Sequence, residues 1–149
     1  MRSNHKSLVV SIMIVFLWLL YPSEGIKAVD RALVIKQYDV NAQIQSSGDM
    51  LVEEDIKFVF NGNYNGVTKQ ILLPEASGIE NISVSQEGKN YKKASLAEKG
   101  DSGVFTLENN PDNSCMIWIY TPSANTTRSF KISYTLKNAC RKYMDTGEL

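Results

Sequence analysis

The chain has 149 residues, 43% of them hydrophobic, and a formal net charge of zero. That is room for one ordinary domain with a core, and it is too apolar for a disordered chain. The charge balance offers no basic excess for nucleic acid and no acidic tail, so no nucleic-acid partner is expected.

The first element in chain order is an export signal. Arg2 and Lys6 precede the uncharged run "LVVSIMIVFLWLL", residues 8–20, and small residues follow at Ser23 and Gly25. A basic start, an apolar middle and a small-x-small end predict a secretory signal peptide over residues 1–25, cleaved after Gly25. The alternative is a membrane anchor, but as a helix the run spans roughly 20 Å against a hydrocarbon core of about 30 Å. Either way the remainder lies outside the cytoplasm, because the positive end stays inside. Residues 26–149 then form the extracytoplasmic domain. Cleavage also removes His5, the only histidine. Ser-His-Asp and Cys-His catalysis and most zinc sites are excluded with it.

Beyond residue 26 no stretch sustains a helical period, and period-two alternation recurs instead. In "VIKQYDVNAQIQ", Val34, Tyr38, Val40, Ala42 and Ile44 share a parity. In "MLVEEDIKFVFN", Met50, Val52, Ile56, Phe58 and Phe60 share one, with Glu54 the misfit. "SSGD", residues 46–49, predicts a hairpin turn between these two strands. Further strands fit "VTKQILL", "GIENISVSQ", "NYKKASL", "GVFTLEN" and "CMIWIYT". In "SFKISYTLKN", Phe130, Ile132, Tyr134 and Leu136 alternate with Lys131, Ser133, Thr135 and Lys137, so one face is buried and one is wet. Turn residues separate the strands at 74–78, 87–90, 99–103, 109–113 and 122–125. About eight short strands with buried alternate positions predict an all-β, antiparallel sandwich.

Cys115 and Cys140 are expected to stay unpaired, although export permits a disulfide. A hairpin around residues 124–125 would set Cys115 opposite roughly Tyr134. Cys140 would then lie near 20 Å away, where a bridge needs Cα atoms within about 7 Å.

The segments that resemble sites read better as structure. "NGNYNG", residues 61–66, copies the rhythm of a calcium loop, but its donors are neutral amides and the twelfth residue is Leu72, not Glu. No "GK[ST]" ending makes it a phosphate loop. Asn-Gly pairs instead predict a tight connection between strands. "EED", residues 53–55, places Glu53 and Asp55 on one strand face, expected wet, and Glu54 on the other, where a buried carboxylate must find a partner. "KNYKKAS", residues 89–95, sets three lysines around Tyr91 and reads as a solvated hairpin edge, with anionic wall polymer or lipid headgroups as the functional alternative. "LPEAS" at residues 73–77 is mid-chain and lacks the hydrophobic tail of a sorting signal. Asn81 and Asn125 head glycosylation sequons, relevant only in a eukaryotic secretory route. No catalytic, cofactor-binding or metal-binding residue is assigned.

The stretch "YDVNAQIQSSGDMLVEEDIKFVFNGNYNGVTKQI" resembles the start of a bacterial predicted-membrane-protein family, domain of unknown function 2207. The resemblance rests on Tyr38 and Val40, Gly48 and Asp49, then Val52, Glu54, Ile56, Phe58 and Phe60. It continues through Gly62, Tyr64, Gly66, Ile71 and Pro74, and "RSFKISYTLKNACRKYMD" resembles a later family strand and its tail. It covers essentially residues 30–145. It implies the N-terminal, extracytoplasmic domain of an envelope membrane protein and carries no catalytic motif. Family members continue with another aromatic strand and transmembrane helices, whereas this sequence stops at "MDTGEL". The resemblance therefore implies a domain truncated at its C-terminus, with membrane association if the missing spans exist, and an envelope or membrane protein as partner. The expected function is a non-catalytic binding or structural module. The alternatives are a carboxylate-based hydrolase of wall glycans acting through Glu53 and Asp55, and a secreted adhesin binding along a free strand edge.

Overall fold

A computed structural model describes residues 31–73, 76–95, 100–142 and 147–148 of the chain. The expected signal peptide lies outside the described residues. The strands run in chain order as β1 (Ala32–Ile44), β2 (Met50–Leu72), β3 (Gly78–Gln86), β4 (Lys89–Asn90), β5 (Lys92–Lys93), β6 (Val104–Asn110), β7 (Ser114–Lys137), β8 (Arg141–Lys142) and β9 (Gly147–Glu148). Seven of them form one sheet in the order β1-β2-β7-β3-β4, with β6 also on β7 and β5 on β6. All pairings in it are antiparallel except the short β5–β6 contact. Among the described residues, β8 and β9 pair only with each other.

Two strands organise this sheet. Residues 50–60 of β2 pair with 126–136 of β7, and residues 63–72 of β2 pair with 114–124 of β7, with register irregularities between the two stretches. A straight strand would hold residues 54 and 69 roughly 50 Å apart at the usual rise. The Glu54 carboxylate and the Lys69 ammonium are 3.0 Å apart. Both long strands therefore double back, and the sheet folds over so that its two halves face each other. The all-β, antiparallel class expected from the alternation is met, with one folded-over sheet where two facing sheets were expected.

The core lies between the halves. Val52, Ile56, Phe58 and Phe60 of β2 alternate with exposed or half-exposed neighbours, as do Phe130 and Ile132 of β7, whereas beside the buried Tyr134 the Thr135 expected on the wet face is buried too. From the other half come Val67, Ile71, Phe105, Cys115, Ile117 and Ile119. Phe58 and Phe130 meet edge to face at 6.0 Å. Burying each such ring contributes about 2–3 kcal/mol.

Several expectations need correction. "NGNYNG" does not connect separate strands. It lies inside β2 at the bend, where β7 remains its partner through Asn63–Ala124 and Tyr64–Ser123. Gly62 N–H donates to Asn125 Oδ1 at 2.7 Å, and the Tyr64 ring packs on Phe60 at 5.5 Å. Bulges have thus turned the chain where a hairpin was expected. Residues 122–125 are likewise inside β7, so there is no hairpin around 124–125. Cys115 and Cys140 are nevertheless unpaired, as expected. Their separation follows from β7 running on past its bend and not from a hairpin. "NYKKASL" yields only the short β4 and β5.

The turn at 46–49 forms as expected. Gly48 adopts φ +85°, its N–H donates to Gln45 O at 3.0 Å, and Gln45 N–H donates to Asp49 O at 2.8 Å. Lys137 and the Asn138 N–H both bind the Asp49 carboxylate, which ties this hairpin to the end of β7. These contacts, Lys137 first, hold the Asp49 carboxyl below its ordinary range.

Candidate functional site: a buried carboxylate beside an open edge

Alternation turns Glu54 inward, into the core face of β2, where it is 3% exposed. Three donors meet it. Tyr134 Oη donates to Oε1 at 2.7 Å, and Tyr38 Oη donates to Oε2 at 2.9 Å. The Lys69 ammonium lies 3.0 Å from Oε2, and it also donates to Tyr38 Oη at 2.6 Å. The same ammonium stands 4.9 Å from the centre of the Tyr38 ring. Lys69 can reach because it shares the inward side of β2 with Val67 and Ile71, beyond the bend.

The electrostatics follow from this geometry. Burial pulls the Lys69 pKa down, but the hydrogen bonds to Tyr38 and Glu54 more than offset it, leaving the ammonium above its ordinary range. Burial, reinforced by the hydrogen bond to Glu54, pushes the Tyr134 phenol far above its own. Both groups keep their protons through neutral pH. The cluster is a matched set: one carboxylate, one ammonium and two hydroxyls, with every carboxylate oxygen engaged. Such a set fixes strand register and closes a fold, with both oxygens of Glu54 bound to groups of the protein itself.

The cluster sits at the border of an open side. β1 pairs with β2 alone, and residues 63–72 of β2 pair with β7 alone among the described residues. Both are sheet edges on the same side of the sandwich, and Lys69 reaches from one toward the other. Opposite residues of an antiparallel pair share a face. Leu33, Ile35, Tyr38, Val40, Ala42 and Ile44 lie opposite Phe60, Phe58, Ile56, Glu54, Val52 and Met50, so they continue the core face. Yet every residue of β1 is exposed, Ile35 and Val40 by 55% each and Ile44 by 52%. This departs from the alternation, which leads one to expect a buried face on this strand. A register shift between Ile35 and Gln37 also moves Val34 to the opposite face from Tyr38, against the shared parity expected.

The other sequence candidates fall elsewhere. Glu53 and Asp55 share the solvent face, as expected, and are 44% and 54% exposed. Lys131 stands between them, 2.7 Å from Glu53 and 3.7 Å from Asp55, and the hydrogen bond to Glu53 raises its pKa. Cys115 is fully buried, and burial pushes its thiol up, away from the reactive thiolate. Asn81 and Asn125 are exposed and both adopt positive φ. No group of three or more metal-ligating side chains forms among the described residues. Glu54 announced itself as a misfit in an apolar pattern. Its partners carried a weaker signal: Tyr38, Lys69 and Tyr134 each stand at an inward position with a polar tip.

A family model described as "Predicted membrane protein (DUF2207) N-terminal domain" matches residues 34–149. Among curated proteins none matches the chain.

Proposed function

Since the chain belongs to the family of N-terminal domains of predicted membrane proteins of unknown function, we propose that it is a non-catalytic, extracytoplasmic module of the cell envelope that binds an extended partner segment along β1. The observation that carries this reading is β1 itself: a long apolar edge strand exposed on both faces. An unpaired edge offers a ladder of backbone donors and acceptors, and its exposed side chains offer specificity. The signal peptide expected from the sequence of residues 1–25 supports the location. The Lys131 ammonium between Glu53 and Asp55 supports a non-catalytic role, because it occupies the space that a paired acid and base would need.

The test is a photo-crosslinking residue at position 40 in cells expressing the full chain. It should capture an envelope protein, whereas the same group at Glu108 on β6 should not, and Ile35→Lys should abolish capture. Equal capture from both positions would refute the edge as the working surface. Recovery of the protein in the cytoplasm with its signal intact would refute the location. Turnover of peptidoglycan that is lost on Glu53→Gln would replace the reading with a hydrolase.

A further inference from the structure

On the side of the sandwich away from β1, the two halves meet around a concave pocket of about 240 Å³. Arg128 and Thr121 reach it from β7 on either side of the bend, Gln86 from the end of β3, and Lys89 from β4. Tyr91 and Ser102 complete the wall. The described lining residues include two cations and no carboxylate.

The walls are fixed by contacts among themselves. Tyr91 N–H donates to Val84 O at 2.8 Å, and Gly103 N–H donates to Tyr120 O at 3.0 Å. Tyr91 Oη donates to Gln86 Oε1 at 2.7 Å, and the Tyr91 ring meets Phe130 edge-on at 6.1 Å. Thr121 is buried and directs its hydroxyl to the same Gln86 oxygen at 3.5 Å.

Arg128 is the exception in this ordered setting. Its Nε is buried and has no hydrogen-bond partner. Its guanidinium makes no ion pair with any described residue. A buried, unmatched donor on a permanent cation is costly, and native structures normally match it. A guanidinium is matched best by an oxyanion, whose oxygens take its N–H groups in pairs. Lys89 adds a second positive charge and Ser102 a further hydroxyl donor, whereas the Tyr91 and Thr121 hydroxyls already donate to Gln86. The volume is below the roughly 300–1,000 Å³ of pockets for larger ligands. It suits one compact anionic group.

We propose that this pocket binds a phosphate group, with Arg128 as its principal contact and Lys89 as the second. The phosphate is either the free ion or the phosphate of a glycerophosphate headgroup. The site is separate from the β1 edge, and its test uses different residues.

The experiment is calorimetric titration of the purified exported protein with inorganic phosphate and with glycerol 3-phosphate, beside flotation with phosphatidylglycerol and phosphatidylcholine vesicles. Saturable binding of at least one soluble phosphate is expected. Arg128→Gln should weaken it by at least about tenfold, and Lys89→Gln severalfold, with unchanged far-UV circular dichroism. Lys36→Gln on β1 should leave it unaltered. Tighter binding of glycerol 3-phosphate assigns the pocket to a headgroup, and tighter binding of inorganic phosphate assigns it to the free ion. If Arg128→Gln does not fold, Lys89→Gln at the exposed hairpin decides. The proposal fails if neither soluble phosphate binds saturably, if the pocket variants bind as the parent does, or if binding occurs only to phosphatidylglycerol vesicles and falls equally on Lys36→Gln.

Discussion

Replacing Glu54 with Ala removes the acceptor that gathers Tyr134, Tyr38 and Lys69. The Tyr134 hydroxyl is buried and loses its only acceptor in the cluster, which costs about 1–3 kcal/mol. Lys69 retains 24% exposure and can turn toward water, so loss of its ion pair belongs at the low end, about 1 kcal/mol. The space left by the shorter side chain adds about 1 kcal/mol. The expected loss is about 3–5 kcal/mol, a large share of the ~5–15 kcal/mol typical of a domain. Urea unfolding measures it as a shift in midpoint at constant slope. Pairing Glu54→Leu with Lys69→Met removes both charges. The double variant should be about 1–2 kcal/mol more stable than Glu54→Leu alone, because no unmatched ammonium remains near the core. A Glu54→Ala loss under about 1 kcal/mol, or a double variant no better than Glu54→Leu, would refute the coupling of this cluster.

Three further outcomes follow from the structure. Lys69 and Tyr134 both have folded pKa values above their ordinary 10.5 and 10.0, so the folded state holds these protons more tightly than the unfolded chain. Their contribution is complete below about pH 10 and is lost as pH rises through the folded values; urea midpoints should be level to about pH 9.5 and fall above it, less steeply in Tyr134→Phe. At the acid end Asp49 acts with the opposite sign: its contribution is present above its ordinary value of 3.8 and is lost as pH falls through its lower folded value. Gly66→Ala should destabilise by about 3 kcal/mol, since a Cβ there would lie 2.0 Å from the Ile119 carbonyl oxygen, a backbone atom that cannot step aside; a thermal midpoint within a degree of the parent would overturn that reading.

What the sequence could show depended on whether the cause was local. Phe130, Ile132 and Tyr134 alternate with Lys131 and Ser133 because one face of the strand meets the core, and that pattern is visible in any window of β7. The spans of β3 and β6 were legible for the same reason, aided by turn residues at both ends. Asn-Gly at 61–62 and 65–66 was ambiguous. The same backbone freedom serves a hairpin or a bulge, and only the continued pairing with β7 decides between them. For β1 the alternation was real, but burial depends on whether a strand of the other half lies above it. That is a fact about topology, absent from the strand's own residues. Glu54 was legible as a residue needing a partner. Lys69 as that partner was not, because it depends on β2 doubling back.

The doubled strands also govern how the molecule can come apart. In a sandwich built from two separate sheets, the layers are joined by loops and can part along the whole interface. Here β2 and β7 are continuous through the bend, so the two halves resemble the boards of a book sharing a spine at residues 60–66 and 120–126. The spine cannot open without breaking the strands' own ladder. Separation must begin at the fore-edge or along the lateral margin where β1 stands uncovered. There, the Glu54 cluster is the clasp between the boards.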